Sequence, residues 1–419
     1  MEEQAQAEKP WWRWLILFLI SMVLFGSYYV YDAVTPINDY IQQSMNIDNS
    51  QYGLLFTLYS LPNLFFLVVV AGVLLDRLGI KKAGILYAGL CVLGSLVTSV
   101  AADKSFVWML VGRGIFGFGS EAAILVVNKV IARWFRGKEL SLAFGLNITV
   151  CRMGTFLAMG TSAMIRNSLG SWTWSVWAGT AVMFVTFLLF LVYLAVDKKG
   201  ASAGEDSEEQ VGMIKILKEV RNFGPSFWLV SLLCVTFYSA MFPFLSHAPR
   251  MLQKQFAMSA TQAGWYTAMA SGSTMIFTPI FGFLVDKFGK RGTLMLLGSL
   301  LLFPAHLLLG STNIHPAVPF IILGVSFSLV PAALWPAVPI LVKENYLGTA
   351  YGMIGWIQNA GLTLFPWLAG IVVDRNGYFP MQIMFASLGF VGLISALILL
   401  RTDKRLGTGL QLPSKEAQA

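Results

Sequence analysis

The stretch GVLLDRLGIKK at 72–82 returns as GFLVDKFGKR at 282–291, an offset of 210 residues. Each copy follows an apolar run and sets out a glycine, an acid with a base directly after it, a second glycine and further bases. A second pair repeats at nearly the same offset: Ala143-Phe144-Gly145 and Ala350-Tyr351-Gly352 stand 207 residues apart. Two independent matches at almost one offset indicate an internal duplication. Chains duplicated in this way commonly bind a solute between their repeats.

Working outward from the two copies, the apolar runs keep reaching membrane-spanning length. Twelve spans are expected, over 13–37, 52–75, 82–101, 105–134, 140–165 and 173–196, then 226–250, 262–285, 292–311, 316–342, 347–373 and 379–400. Apolar residues make up 56% of the chain and charged residues 12%, where a soluble domain carries about a quarter charged. Helices apolar all round belong in lipid, which argues against a large soluble helical protein. Between the sixth and seventh spans, residues 197–224 are rich in Gly, Ser and charge. They read as a linker with a short amphipathic helix near Ile214 to Arg221. The predicted architecture is an all-α membrane protein of twelve transmembrane helices in two pseudo-symmetric six-helix halves. Its parts are a bundle over 1–196, the linker over 197–224, a bundle over 225–401 and a tail over 402–419.

The chain has 29 Lys and Arg against 21 Asp and Glu. Their placement argues against a nucleic-acid partner: 21 of the basic residues fall in segments on the side of the termini and 5 on the opposite side. The remaining three, Arg113, Lys129 and Arg152, lie inside spans. That asymmetry predicts both termini in the cytoplasm. Cys91, Cys151 and Cys234 all fall within spans, so no disulfide framework is implied. The N-terminal MEEQAQAEKPWWRW lacks a small-residue cleavage site, so the first span reads as retained. Asn147-Ile148-Thr149 matches a glycosylation sequon but lies at membrane depth and is discounted.

Ionisable side chains at membrane depth are costly, so each is a functional candidate. Asp32, Arg113, Glu121, Lys129 and Arg152 qualify. Glu121 and Arg152 fall near the middles of the fourth and fifth spans, where an acid and a guanidinium facing one cavity would suit a zwitterion. Glu121 would accept from an ammonium, and Arg152 would clamp a carboxylate with its planar fork. The bland alternative is an ion pair that merely joins the two spans. Lys129 follows Glu121 by eight residues, about 80° further round the helix and ~12 Å along it. It either faces the cavity and adds anion affinity or snorkels to the headgroups. Asp32, with Tyr28 and Thr35 on about the same face, reads as a proton carrier, a counter-ion for Arg113 or a ligand for a substrate amine. Asn128, close to Glu121 around the helix, and Asn359, at the duplicate position of Arg152, are candidate neutral ligands. His247 and His306 read as hydrogen-bonded structure before proton relays. The abundant Phe and Trp read mostly as lipid contact and interfacial belt. No Walker loop, metal-ligand cluster or nucleophile triad occurs, so no enzyme, metal or cofactor is expected.

The duplicated loop resembles the signature of the major facilitator superfamily. That resemblance implies gating roles on the cytoplasmic side for Asp76, Arg77, Asp286 and Lys287. Longer stretches are similar to the branch containing the animal lysosomal dipeptide uniporter. They are FGSYYVYD (25–32), GRGIFGFGSEAA (112–123), WFRGKELSLAFGL (134–146), CRMG (151–154) and ALWPAVPILVKENYLGTAYGMIGWIQNAGL (333–362). This resemblance implies that Glu121 and Arg152 contact substrate, and Lys129 departs from it, since a neutral residue is expected there. Arg113-x-x-x-Gly117-x-Gly119 resembles a superfamily signature linked to proton coupling in some members; close helix packing is its alternative reading. The expected function is secondary transport of dipeptides or amino-acid-like zwitterions by alternating access, as a uniporter or with protons. The alternative is a proton-coupled carrier of small organic anions. A monomer in a bacterial inner membrane is expected, with a small solute and the lipid bilayer as its partners.

Overall fold

The structure is a computed structural model and describes residues 11–66, 71–135, 140–197, 223–311, 314–342 and 347–413. The expected helix near Ile214, and most of the 197–224 segment, lie outside the described residues. The helices among them are α1 (Trp12–Asp32), α2 (Asn38–Met45), α3 (Asn49–Phe66), α4 (Gly72–Ala101), α5 (Phe106–Phe135), α6 (Leu140–Leu169) and α7 (Thr173–Val196). They continue with α8 (Pro225–Phe256), α9 (Ala260–Phe288), α10 (Arg291–Ser311), α11 (Ala317–Leu341), α12 (Leu347–Asn376) and α13 (Tyr378–Leu406). No strand occurs among the described residues. Eleven helices are long and apolar enough to cross a membrane. The expectation was twelve; α3, which opens on Asn49-Ser50-Gln51 at the place of the expected second span, is not among the eleven.

The duplicated motif forms the same device twice. Gly79 has φ 72° and ψ 169°, which breaks α4 into a short piece and a long one. Gly289, its counterpart, has φ 68° and separates α9 from α10. Side chains with a Cβ rarely adopt such angles, so glycine lets each chain reverse within a residue or two. The expected spans over 52–75 and 82–101 left a wider gap than this turn needs. The short helix α2 falls between the first and second expected spans. It buries Asn38, Ile41 and Gln42 and ends on Asn46 in the left-handed region.

Packing repeats the duplication. In the first half α1 lies on α6 and α7, α4 on α5 and on α7, and α3 on α5; in the second half α8 lies on α12 and α13, α10 on α11 and on α13, and α9 on α11. The halves meet along two seams, α3 against α12 and α6 against α9, which the same duplication exchanges. Close approach within a half needs small residues. A Cβ on Gly117 would stand 2.0 Å from the Tyr59 carbonyl oxygen, so α5 sits directly on the α3 backbone. Across the first seam Thr57 Oγ1 donates to the Thr363 carbonyl (2.7 Å) and Trp356 Nε1 to the Leu64 carbonyl (3.0 Å). Across the second, the Phe156 and Trp265 rings meet at 5.5 Å and Asn167 Nδ2 donates to Thr261 Oγ1 (3.2 Å).

The face opposite the termini is fastened by charge. Asp39 accepts from Arg250 Nε (3.1 Å) and pairs with Lys254 Nζ (3.5 Å), while Arg250 Nη1 donates to Asn49 Oδ1 (2.8 Å). Asp374 of α12 accepts from the backbone N–H groups of Asn49 (3.1 Å) and Ser50 (2.8 Å). Those donors open α3 and have no partner within their own helix, so a carboxylate from the other half caps them. At the termini face α13 continues through Leu406, into the stretch read as tail. The chain then lies on the second motif: Lys290 N donates to the Gln411 carbonyl (3.1 Å), Arg291 N to Leu410 (3.2 Å) and Arg291 Nη1 to Leu412 (2.8 Å).

Candidate functional site

In the apolar slab the backbone N–H groups of a helix are spent on its own ladder, so buried polar side chains pair with one another or with the second lone pair of a carbonyl. Around Glu121, on α5, they form a hydroxyl chain. Tyr59 Oη donates to Glu121 Oε1 (3.1 Å) and shares a second bond with Ser120 Oγ (2.9 Å); Ser120 in turn bonds Ser27. With an ionised acceptor the donor order runs Ser27, Ser120, Tyr59, Glu121. Three helices, α1, α3 and α5, thereby aim one carboxylate.

Arg152, on α6, is 8% exposed and has a different environment. Its guanidinium lies over the rings of Phe327 (4.5 Å), Phe242 (5.1 Å) and Tyr28 (5.2 Å). Its Nε has no hydrogen-bond partner. Among the described residues no salt bridge joins it to Glu121 or Asp32. The pair that would merely tie the fourth and fifth spans together is therefore not formed, and the acid and the base stand as separate poles. Asp32, 5% exposed at the end of α1, lies within electrostatic reach of both Arg152 and Arg113. A small pocket beside Arg152 is lined by Met241, Phe242, Leu245, Ala270, Ser271 and Phe327.

Arg113 is 1% exposed, and each of its three guanidinium nitrogens donates to a backbone carbonyl. Nε donates to the Leu55 carbonyl (3.0 Å), Nη1 to Val30 (3.2 Å) and Nη2 to Tyr31 (3.3 Å). Val30 and Tyr31 are in the last turn of α1, whose carbonyls lack intrahelical partners and favour a cation. The rings of Tyr31, Phe56, Tyr59 and Phe116 surround the guanidinium. Lys129 and Asn128 are half-buried on α5, further toward the termini face. Asn359 is buried on α12; its Nδ2 donates to the Gly355 carbonyl (3.0 Å), and its Oδ1 has no partner.

Arg77, Asp286 and Lys287 are exposed at the two motif turns, and the Asp76 side chain lies outside the described residues. His247 Nε2 donates to the Pro366 carbonyl (3.1 Å), and His306 Nδ1 bonds Gln382 Oε1 (2.9 Å), so each ring is tied to a neighbouring helix. The described residues hold no cluster of potential metal ligands.

Sequence reasoning missed Tyr59 and Ser120 beside Glu121, and Phe242 and Phe327 on Arg152. It also missed the Asp39, Arg250 and Asp374 fastening. One signal was available: Tyr238 and Phe242 stand 210 residues after Tyr28 and Asp32, the offset of the motif pair. Phe242, one of the rings on Arg152, thus occupies the duplicate position of Asp32, and Tyr238 behind it that of Tyr28.

The family model described as Major Facilitator Superfamily matches residues 17–256 and 227–419. The lysosomal dipeptide transporter MFSD1 of Danio rerio is 31% identical over 411 residues, covering 96% of this chain and 89% of that protein. The probable sulfoacetate transporter SauU of Cupriavidus necator is 23% identical over 411 residues, covering 92% and 94%. The crystal structure of the nucleoside transporter NupG superposes with a TM-score of 0.76 at 14% identity, covering 92% of this chain and 99% of that one, a likeness of fold.

Proposed function

Because the chain belongs to the Major Facilitator Superfamily, and so is an integral membrane transporter, we propose that it carries small zwitterions, dipeptides foremost, by alternating access between its halves. The observation that carries this reading is the separation of poles at the centre of the slab. Glu121 is aimed by a hydroxyl chain, and Arg152 keeps unused donors inside a ring of aromatic groups. A dipeptide offers the complementary ammonium and carboxylate at its two ends. The similarity to a dipeptide transporter supports the same substrate class.

Asp32, Tyr28 and Asn359 would complete the shell around the peptide, with Asn128 and Lys129 lining the approach from the termini face. The fastening at Asp39, Arg250 and Asp374 supports reading this conformation as closed to the far side. In this reading both termini are cytoplasmic, in keeping with the 21 to 5 division of basic residues. The protein works as a monomer in a bacterial inner membrane. Asp76, Arg77, Asp286 and Lys287 act at the turns as the gate of the cytoplasmic face.

A second reading, a proton-coupled carrier of organic anions, draws on the three buried cations and on the similarity to SauU. Arg113 weakens it, because each of its guanidinium nitrogens already donates to a backbone carbonyl. Without Arg113 the slab holds Arg152 and Lys129 against Glu121 and Asp32, a balance that suits a zwitterion. A thermal-shift screen of dipeptides, free amino acids and organic acids tests the choice, since a ligand of the folded state raises its melting temperature. Dipeptides are expected to stabilise the protein. Stabilisation by organic acids alone would move the assignment to the anion carrier.

A further inference from the structure

We infer that Phe327 and Phe242 are positioning residues for Arg152, so that the half lacking the guanidinium sets how well the other half grips a carboxylate. This rests on the reading of Arg152 as the carboxylate ligand. Arg152 is on α6, whereas Phe327 is on α11 and Phe242 on α8, in the second half. A guanidinium at this depth needs partners, and two of its three rings come from across the midline, at 4.5 and 5.1 Å. Rings attract the cation through their quadrupole without consuming its N–H donors. The donors therefore remain for a planar acceptor, and Nε is indeed unpartnered. Arg113 shows the opposite case, a guanidinium whose donors are taken by carbonyls.

The rings are themselves braced. Phe327 stacks on Phe237 (centroids 5.9 Å apart, 25° between planes), and Phe242 stacks on Tyr238 (5.8 Å, 19°). Tyr238 Oη accepts from Trp335 Nε1 (3.0 Å), which pins the second layer. An aliphatic side chain at either position would keep bulk and lose the quadrupole. The guanidinium would then be free to turn its donors away from the carboxylate.

The test is a binding comparison on the purified transporter with one dipeptide and its C-terminal amide. Wild type is expected to prefer the free acid. In Phe327→Leu, affinity for the acid is expected to fall about 3- to 30-fold, the range of a cation–π contact from exposed to desolvated. Affinity for the amide should stay unchanged, and Phe327→Tyr should restore the acid. Should Phe327→Leu fail to give monodisperse protein, Phe242→Leu carries the same comparison. Equal losses for acid and amide would make the rings mere packing and overturn the inference, leaving Arg152 as the carboxylate ligand. A wild type blind to the difference would overturn that role of Arg152, and the inference with it.

Discussion

Arg113 and Arg152 take the same guanidinium into the same apolar slab, yet one donates to three backbone carbonyls and the other is held by rings without a hydrogen bond to its Nε. Substituting them should therefore fail differently. Arg113→Leu strands the Val30 and Tyr31 carbonyls at the end of α1 and is expected to cost about 3 kcal/mol, seen as a lower melting temperature in detergent. Arg152→Ala and Glu121→Gln should abolish dipeptide uptake into proteoliposomes while melting close to wild type. Normal uptake by either variant would end their assignment to the substrate. Lys129→Thr should shift preference away from acidic dipeptides if the ammonium faces the cavity; an unchanged profile would place it at the headgroups. Glu121 and Arg152 were legible because a charge in an apolar span announces itself. Phe327 was not, and Phe242 only through its 210-residue offset from Asp32, because an aromatic ring facing a cavity and one facing lipid look alike in a sequence. Only the packing of α8 and α11 near α6 tells them apart.

At the scale of elements, the two motif turns were legible because glycine at a helix end between charges has few other uses. Their unequal surroundings were not. A Cβ at Gly289 would stand 2.2 Å from the Leu412 carbonyl oxygen, since the C-terminal segment lies on that turn. Gly79 and Gly289 share the cost of a left-handed backbone, roughly 1–3 kcal/mol for an alanine, and Gly289→Ala adds a steric clash. Gly289→Ala is accordingly expected to release residues 407–412 to protease, and Gly79→Ala to leave them protected. Equal protection in both variants would contradict the docking of that segment. Asp76→Asn should slow turnover and change apparent affinity only through the fraction of carrier in the binding-competent state. A loss of intrinsic ligand contacts, with unchanged spin-label distances, would remove Asp76 from the gate. The short α2 escaped notice because eight residues are too few for a periodic pattern to stand out.

Over the whole molecule, the duplication made two halves and their symmetry legible, whereas the contacts between halves needed coordinates. Residues 325 positions apart, Asn49 and Asp374, meet across the first seam, and no local pattern marks them. Asp374→Asn removes the charge from the cap on α3 and is expected to weaken the closed face by about 1 kcal/mol, roughly a fivefold shift in population. Spin-label distances across that face would show it as a grown open fraction; an unchanged distribution would mean that the cap does not hold the halves. The central claim is that Glu121 and Arg152 hold the two ends of one zwitterion between these halves. The measurement that tests it most directly is the affinity of the wild-type transporter for a dipeptide, its N-acetyl form and its C-terminal amide. Each blocked form should bind at least about tenfold more weakly, the equivalent of one lost charge-assisted hydrogen bond. Equal affinity for all three would contradict it.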